Sequence, residues 1–127
     1  MGGAIARGLA SSTKEMTITV SNPTTNKLEK LKAEFSTITT TTDNRTAAKD
    51  ADIVMLAVKP WLVEQVINEI QPVAGQVLVS VAAGISTDEL ETMTGQPGIT
   101  IFRAIPNTAI SCMQSTTIIA SRNATAA

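Results

Sequence analysis

Three apolar, largely β-branched runs constrain this chain more than anything else in it. They are Ile53-Val54-Met55-Leu56-Ala57-Val58, Val77-Leu78-Val79-Ser80-Val81 and Ile99-Thr100-Ile101-Phe102-Arg103. The first two do not alternate apolar with polar residues, so each reads as a strand buried on both faces, the habit of parallel sheets. Helix patterns separate them. After Pro60, the residues Leu62, Val63, Val66, Ile67 and Ile70 form one apolar stripe. Ser86-Thr87-Asp88-Glu89 has capping-box spacing, with Ser86 as N-cap and a helix running to about Thr94. Strands alternating with helices at this spacing indicate βαβ units and a parallel sheet.

The first third continues the alternation. Ala4 to Ala10 reads as a helix with Ile5 and Leu9 on one face, and Thr17 to Val20 as a strand. Asn22-Pro23 breaks that strand, and Leu28, Leu31 and Phe35 mark a second helix. The threonine-rich Ser36 to Thr42 predicts a short edge strand near Ile38, and Asp43-Asn44 a brief helix over Thr46 to Lys49. Pro106-Asn107 reads as a turn and Thr116 to Ala120 as a last strand; Arg122 to Ala127 carries no pattern. Trp61 is expected to cover a helix–sheet seam.

Composition narrows the chemistry. The chain has 127 residues, enough for one domain with a real core, and a net charge of −1 with scattered cations. Nucleic-acid binding needs a basic footprint, which is missing. No apolar run approaches the roughly 20 residues that span a bilayer, and the start lacks a secretory-signal pattern. With no histidine and one cysteine, Cys112, a zinc site or a Cys–His nucleophile is excluded, and a reducing cytoplasm is the expected location.

In open parallel sheets the ligand sits beyond the carboxyl ends of the strands. Those ends carry Ser21-Asn22, Val58-Lys59-Pro60, Ala82-Ala83-Gly84 and Ile105-Pro106-Asn107. All are small, polar or turn-forming. The chain opens Met1-Gly2-Gly3 directly into a helix pattern, as though a first strand and the earlier glycines of a G-x-G-x-x-G fingerprint lay upstream; a flexible terminus is the other reading. The expected fold is therefore α/β, a Rossmann-like doubly wound parallel sheet lacking its first strand. The strands at Thr17 and Ile53 would then present unpaired edges, and low stability is expected.

After the second strand a dinucleotide site usually places an acid for the ribose 2′-OH. Val20-Ser21-Asn22-Pro23-Thr24-Thr25 has none, and its hydroxyl and amide donors, with Lys27 one turn on, suit a 2′-phosphate. A plain helix N-cap at Thr24 or Thr25 is the alternative. Lys59-Pro60 either borders a ligand crevice or simply begins a helix with proline at N1. Arg103 is either an anion partner or a residue of the sheet rim.

Taken together, Met1 to Leu9, Ala51 to Val54, Ala57 to Pro60, Val81 to Ser86 and Arg103 to Thr108 resemble the N-terminal domain of pyrroline-5-carboxylate reductases. The resemblance implies a cofactor-binding part, residues 1–127, incomplete at its N-terminus and without the family's helical dimerisation domain. It implies NADP as cofactor, with NAD possible, 1-pyrroline-5-carboxylate and L-proline as substrate and product, and a homo-oligomeric parent. It places Met1 and Gly2 at the cofactor, Ser21, Asn22 and Thr24 near the adenosine ribose and its 2′-phosphate, and Asn44 near the adenosine half. It sets Ala57, Val58, Lys59, Pro60, Val81, Ala83 and Gly84 along the nicotinamide side, with Asn107 bordering the substrate. An imine substrate binds already protonated, so no catalytic side chain is expected, and the fragment alone should be inactive.

Three positions depart from the family: Pro23 stands where an arginine is frequent, Ile105 where a methionine is, and Ser111 to Ser115 lacks glycines. Other NADP-dependent reductases of imines or β-hydroxyacids, and a non-catalytic nucleotide-binding module, are the alternatives.

Overall fold

The computed structural model describes residues 2–12, 15–105 and 118–124. They fall into two compact units, one formed by the described residues up to Ala47 and the other by those from Ala48 onward. Pro106, Asn107, Cys112, the segment 111–115 and Met1 lie outside the described residues, so the readings made for them do too.

The first unit starts with helix α1, Gly2–Ser12, followed by strand β1, Thr19–Ser21, and helix α2, Thr25–Glu34. Strand β2, Thr39–Thr41, runs parallel to β1 in a two-stranded sheet, with Ser21 opposite Thr41. Ala6, Leu31 and Ile38 form the core, with Ala10, Ile18, Val20 and Phe35 packed against it. Two devices hold the α2 region. The guanidinium of Arg7 donates twice to Glu34, at 2.8 and 2.9 Å, and Lys32 Nζ donates to the carbonyls of Ser36 and Ile38 at 2.8 and 2.6 Å. The lysine thereby pins the loop between α2 and β2 to the last turn of the helix. Helix α3, Asn44–Ala48, closes the unit.

The second unit contains β3, Ile53–Leu56, a 3₁₀ turn at Pro60–Leu62, helix α4, Val63–Ile70, and β4, Val77–Ser80. Helix α5, Thr87–Thr94, then leads to β5, Thr100–Ile105, and β6, Ile118–Arg122. The sheet order is β3-β4-β5-β6. Leu56, Val63, Ile67, Leu78, Leu90 and Ile101 form the core between the sheet and helices α4 and α5. The capping box of α5 is complete: Glu89 N–H donates to Ser86 Oγ at 3.1 Å, and Ser86 N–H to Glu89 Oε2 at 2.8 Å.

Gln76 joins the start of β4 to the turn before β3. Its Nε2 donates to the carbonyls of Ala48 and Ala51, both at 3.0 Å, and its Oε1 accepts from Val73 N–H at 3.0 Å. Gln76→Ala removes a hydrogen bond from each of three backbone groups at once, of which the Ala48 carbonyl keeps a second partner in the Ala51 N–H. It is expected to lower unfolding stability by about 1–3 kcal/mol, read as a shift in urea midpoint; an unmoved midpoint would show that water replaces the amide freely.

Four expectations are corrected. Strand β3 is not buried on both faces: Val54 and Leu56 point to the core, whereas Ile53 and Met55 are 58 % and 39 % exposed. Alternating side chains need cover on each side, and nothing among the described residues covers that face. Trp61 seals no seam and is 76 % exposed, because it sits in the 3₁₀ turn before α4. The sheet is not wholly parallel, since β6 runs antiparallel to β5. Arg122 and Asn123, read as patternless, form a polar cluster with α5 instead. Arg122 pairs with Asp88 and Glu91, and Asn123 Nδ2 donates to Glu91 Oε1 at 2.9 Å and to the Ile99 carbonyl at 3.0 Å.

That cluster gives the fold an acid limit. The Gly98 N–H, then Arg122 and Asn123, hold the Glu91 carboxyl below its ordinary range, and the Ser86 N–H and hydroxyl do so for Glu89. Across the first unit, the hydrogen bonds from Arg7 do the same for Glu34. A depressed carboxyl binds fewer protons folded than unfolded. The stability it contributes is therefore present above the ordinary glutamate value of about 4.3 and is lost as pH falls through that value and below. The unfolding midpoint should fall steadily below about pH 5, and Glu91→Gln should flatten part of that slope; an identical slope in the variant would remove Glu91 from the explanation.

Candidate cofactor-binding site

The site residues expected from sequence lie in two groups, one in each unit. In the first, β1 stops at Ser21, whose hydroxyl donates to Asn44 Oδ1 at 2.7 Å and ties the end of β1 to the start of α3. Asn22 continues the ladder by one bond, its N–H donating to the Thr41 carbonyl at 3.2 Å. Its side-chain oxygen accepts from Thr24 N–H at 2.8 Å, an Asx turn across Pro23. Thr24 stands at the N-cap of α2 but makes no side-chain cap bond, so capping does not account for its hydroxyl. Gly2 is the first residue of α1 and is half-buried.

No acid occurs between Ser21 and Lys27, while Lys27 and Arg45 supply positive charge on the helices that follow β1 and β2. Asp43 is the one acid close by in sequence, and both its oxygens are engaged. Oδ2 accepts from the Thr46 hydroxyl and Oδ1 from Arg45 N–H, which hold the Asp43 carboxyl below its ordinary range. Arg45 was not singled out from sequence. The signal that would have found it is a cation directly following Asn44.

In the second unit, Val81 N–H donates to the Leu56 carbonyl at 3.1 Å and brings the segments after β3 and β4 side by side. Ala57 and Val58 are half-buried there, and Lys59 is extended and exposed. Pro60 opens the 3₁₀ turn, which Leu62 N–H closes by donating to the Lys59 carbonyl at 2.9 Å. Across from it, Ala82 and Ile85 are buried and leave Ala83 and Gly84 on the surface. Gly84 has φ +76°, and a β-carbon there would meet nothing within 4 Å. Its glycine is demanded by the left-handed backbone, with no crowding to relieve. Arg103 sits within β5 beside Ser80 at the end of β4, two residues before β5 stops, with a buried Nε that has no partner among the described residues.

These groups suit a dinucleotide. Hydroxyl, amide and cationic groups without an intervening acid match a phosphorylated ribose, and small residues around a left-handed glycine admit a flat ring close to backbone. Among the described residues no three histidine, cysteine, aspartate or glutamate side chains cluster as metal ligands, and no helix is long and apolar enough to cross a membrane. The fold of each unit is that of α/β proteins whose ligands sit beyond the strand ends.

Comparison with known proteins agrees. Residues 1–84 match a family described as NADP oxidoreductase, coenzyme F420-dependent, and the chain belongs to that family. Along its length it is similar to pyrroline-5-carboxylate reductases. It is 38 % identical over 92 residues to pyrroline-5-carboxylate reductase 3 of Xenopus laevis, covering 71 % of this chain and 32 % of that protein. To the Pseudomonas aeruginosa pyrroline-5-carboxylate reductase it is 36 % identical over 110 residues, covering 85 % and 38 %. The solved Coxiella burnetii pyrroline-5-carboxylate reductase superposes with TM-score 0.89 at 30 % identity, over 98 % of this chain and 47 % of that one. The Plasmodium falciparum enzyme, solved with NADP bound, gives TM-score 0.81 at 26 % identity over 99 % and 46 %. The chain thus spans about a third to just under half of the length of these relatives.

Proposed function

We propose that this chain is the cofactor-binding part of an NADPH-dependent pyrroline-5-carboxylate reductase. The observation that carries this reading is the Ser21–Asn44 hydrogen bond at an acid-free strand end, in a chain similar throughout to such reductases. Ser21, Asn22 and Thr24 take the adenosine ribose and its 2′-phosphate, with Asn44 near the adenosine half and Met1 and Gly2 also at the cofactor. Ala57, Val58, Lys59, Pro60, Val81, Ala83 and Gly84 line the nicotinamide half, and Asn107 borders the substrate. The bound cofactor supplies the hydride that goes to the imine carbon of 1-pyrroline-5-carboxylate, giving L-proline. The chain's residues bind and orient; the imine nitrogen arrives protonated, so no side chain is assigned as acid.

The parent is proposed to work in the cytoplasm as a homo-oligomer, assembled through a helical domain beyond residue 127. Its small-molecule chemistry makes no use of nucleic acid or membrane. The matched part covers 32 % and 38 % of two such relatives, which supports the further domain.

Thermal unfolding with and without cofactor tests the reading. A ligand that binds only the folded state adds roughly 2.7 kcal/mol at a hundredfold excess over its dissociation constant. NADPH is expected to raise the midpoint more than NADH does. Equal midpoints with and without either nucleotide would sink the reading for this chain.

A further inference from the structure

The acid-free end of β1 admits a 2′-phosphate, but hydroxyls and amides alone discriminate weakly between a phosphate dianion and a free hydroxyl. Charge is needed, and position 23, the first after the Ser21-Asn22 pair, is a proline. The helices after β1 and β2 carry Lys27, Lys30 and Lys32 on α2 and Arg45 on α3, and of these Lys27 and Arg45 stand closest in sequence to the strand ends. They are not equivalent. Arg45 directly follows Asn44, the residue the Ser21 hydroxyl holds at 2.7 Å, so its Cα lies one peptide, about 3.8 Å, from a backbone anchored to the strand end. Its own N–H is fixed by Asp43 Oδ1 at 3.1 Å. Lys27 has no comparable tether to β1. A guanidinium also presents a planar fork that matches phosphate oxygens, whereas an ammonium acts as a point charge.

We propose that Arg45 is the cation that reads the 2′-phosphate, making it the specificity-determining residue between NADPH and NADH. This rests on the reading that the end of β1 receives the adenosine ribose. Arg45 supplies from the first turn of α3 the charge that the β1–α2 connection lacks at Pro23. Asp43 tempers this field without cancelling it, because Lys27 and Arg45 together outweigh its single charge. Both Asp43 oxygens are also already occupied by Thr46 and the Arg45 N–H.

The test measures binding of NADPH, NADH, adenosine 2′,5′-bisphosphate and adenosine 5′-monophosphate to the 127-residue chain and to Arg45→Gln, Arg45→Lys and Lys27→Gln. Arg45→Gln should weaken NADPH and the bisphosphate about tenfold, the scale of one charge-assisted contact, and leave NADH and the monophosphate within about twofold. Arg45→Lys should recover part of the loss. Arg45 is exposed, so these variants should keep the parent's unfolding midpoint. Normal NADPH binding by Arg45→Gln overturns the inference and leaves the function standing. So does a loss shared equally by NADH, or a larger loss from Lys27→Gln. Failure of the unmutated chain to bind any of the four compounds overturns both.

Discussion

Leu78→Ala is expected to lower the stability of the protein by about 2–5 kcal/mol, a cost typical of large-to-small changes in a close-packed core. Leu78 is fully buried in β4, with β3 paired on one side and β5 on the other, among Leu56, Ile67, Leu90 and Ile101. Alanine removes transfer energy and leaves a hole that two flanking strands prevent from collapsing. The neighbouring Val79 points to the opposite, half-covered face, so Val79→Ala should cost clearly less. Urea unfolding of both variants at a common slope measures the difference. Equal midpoints for the two would mean that the two faces of the sheet are covered alike.

Ser21→Asp is expected to reverse the cofactor preference. It places a carboxylate at the end of β1, where NAD-binding members of the fold carry one. Against a 2′-phosphate that carboxylate is repulsive, and NADPH affinity should fall at least about tenfold, roughly 1.4 kcal/mol. Toward a 2′-hydroxyl it is an acceptor, so NADH binding should hold or improve. Folding should survive. The lost bond joins Ser21 Oγ to Asn44 Oδ1, and a turned Asn44 amide can donate to the new carboxylate. Titration of both cofactors against the variant decides the matter; an undiminished NADPH affinity would move the phosphate away from Ser21.

Much of this was legible in the residues, for local reasons. The Ser86-x-x-Glu89 box formed as its spacing requires, because both of its hydrogen bonds close within one turn of chain. The stripe on α4 buried Val63 and Ile67, though its first member, Leu62, remained exposed in the preceding turn. The helix predicted over Thr46 to Lys49 begins two residues earlier, at Asn44, since Asp43 caps it and brings Asn44 and Arg45 inside. In the candidate site, Ser21, Asn22 and Asn44 were expected near the adenosine half, and the Ser21–Asn44 hydrogen bond and the Asn22–Thr24 turn are additional findings.

What the sequence by itself determined is the succession of strands and helices, the parallel sense of strands joined through helices, and the acid-free end of β1. Each follows from periodicity, capping and turn chemistry acting over a few neighbouring residues. Tertiary structure alone decided that β6 turns antiparallel, that Ile53 and Met55 lie on an uncovered face, and that Arg122 and Asn123 clamp β6 to α5. It also decided that the hydroxyl of Ser21 meets the amide of Asn44 across 23 positions of chain. Those outcomes depend on which distant segments share a surface. An alternating strand or a lone arginine carries the same local signal whether a partner covers it or not.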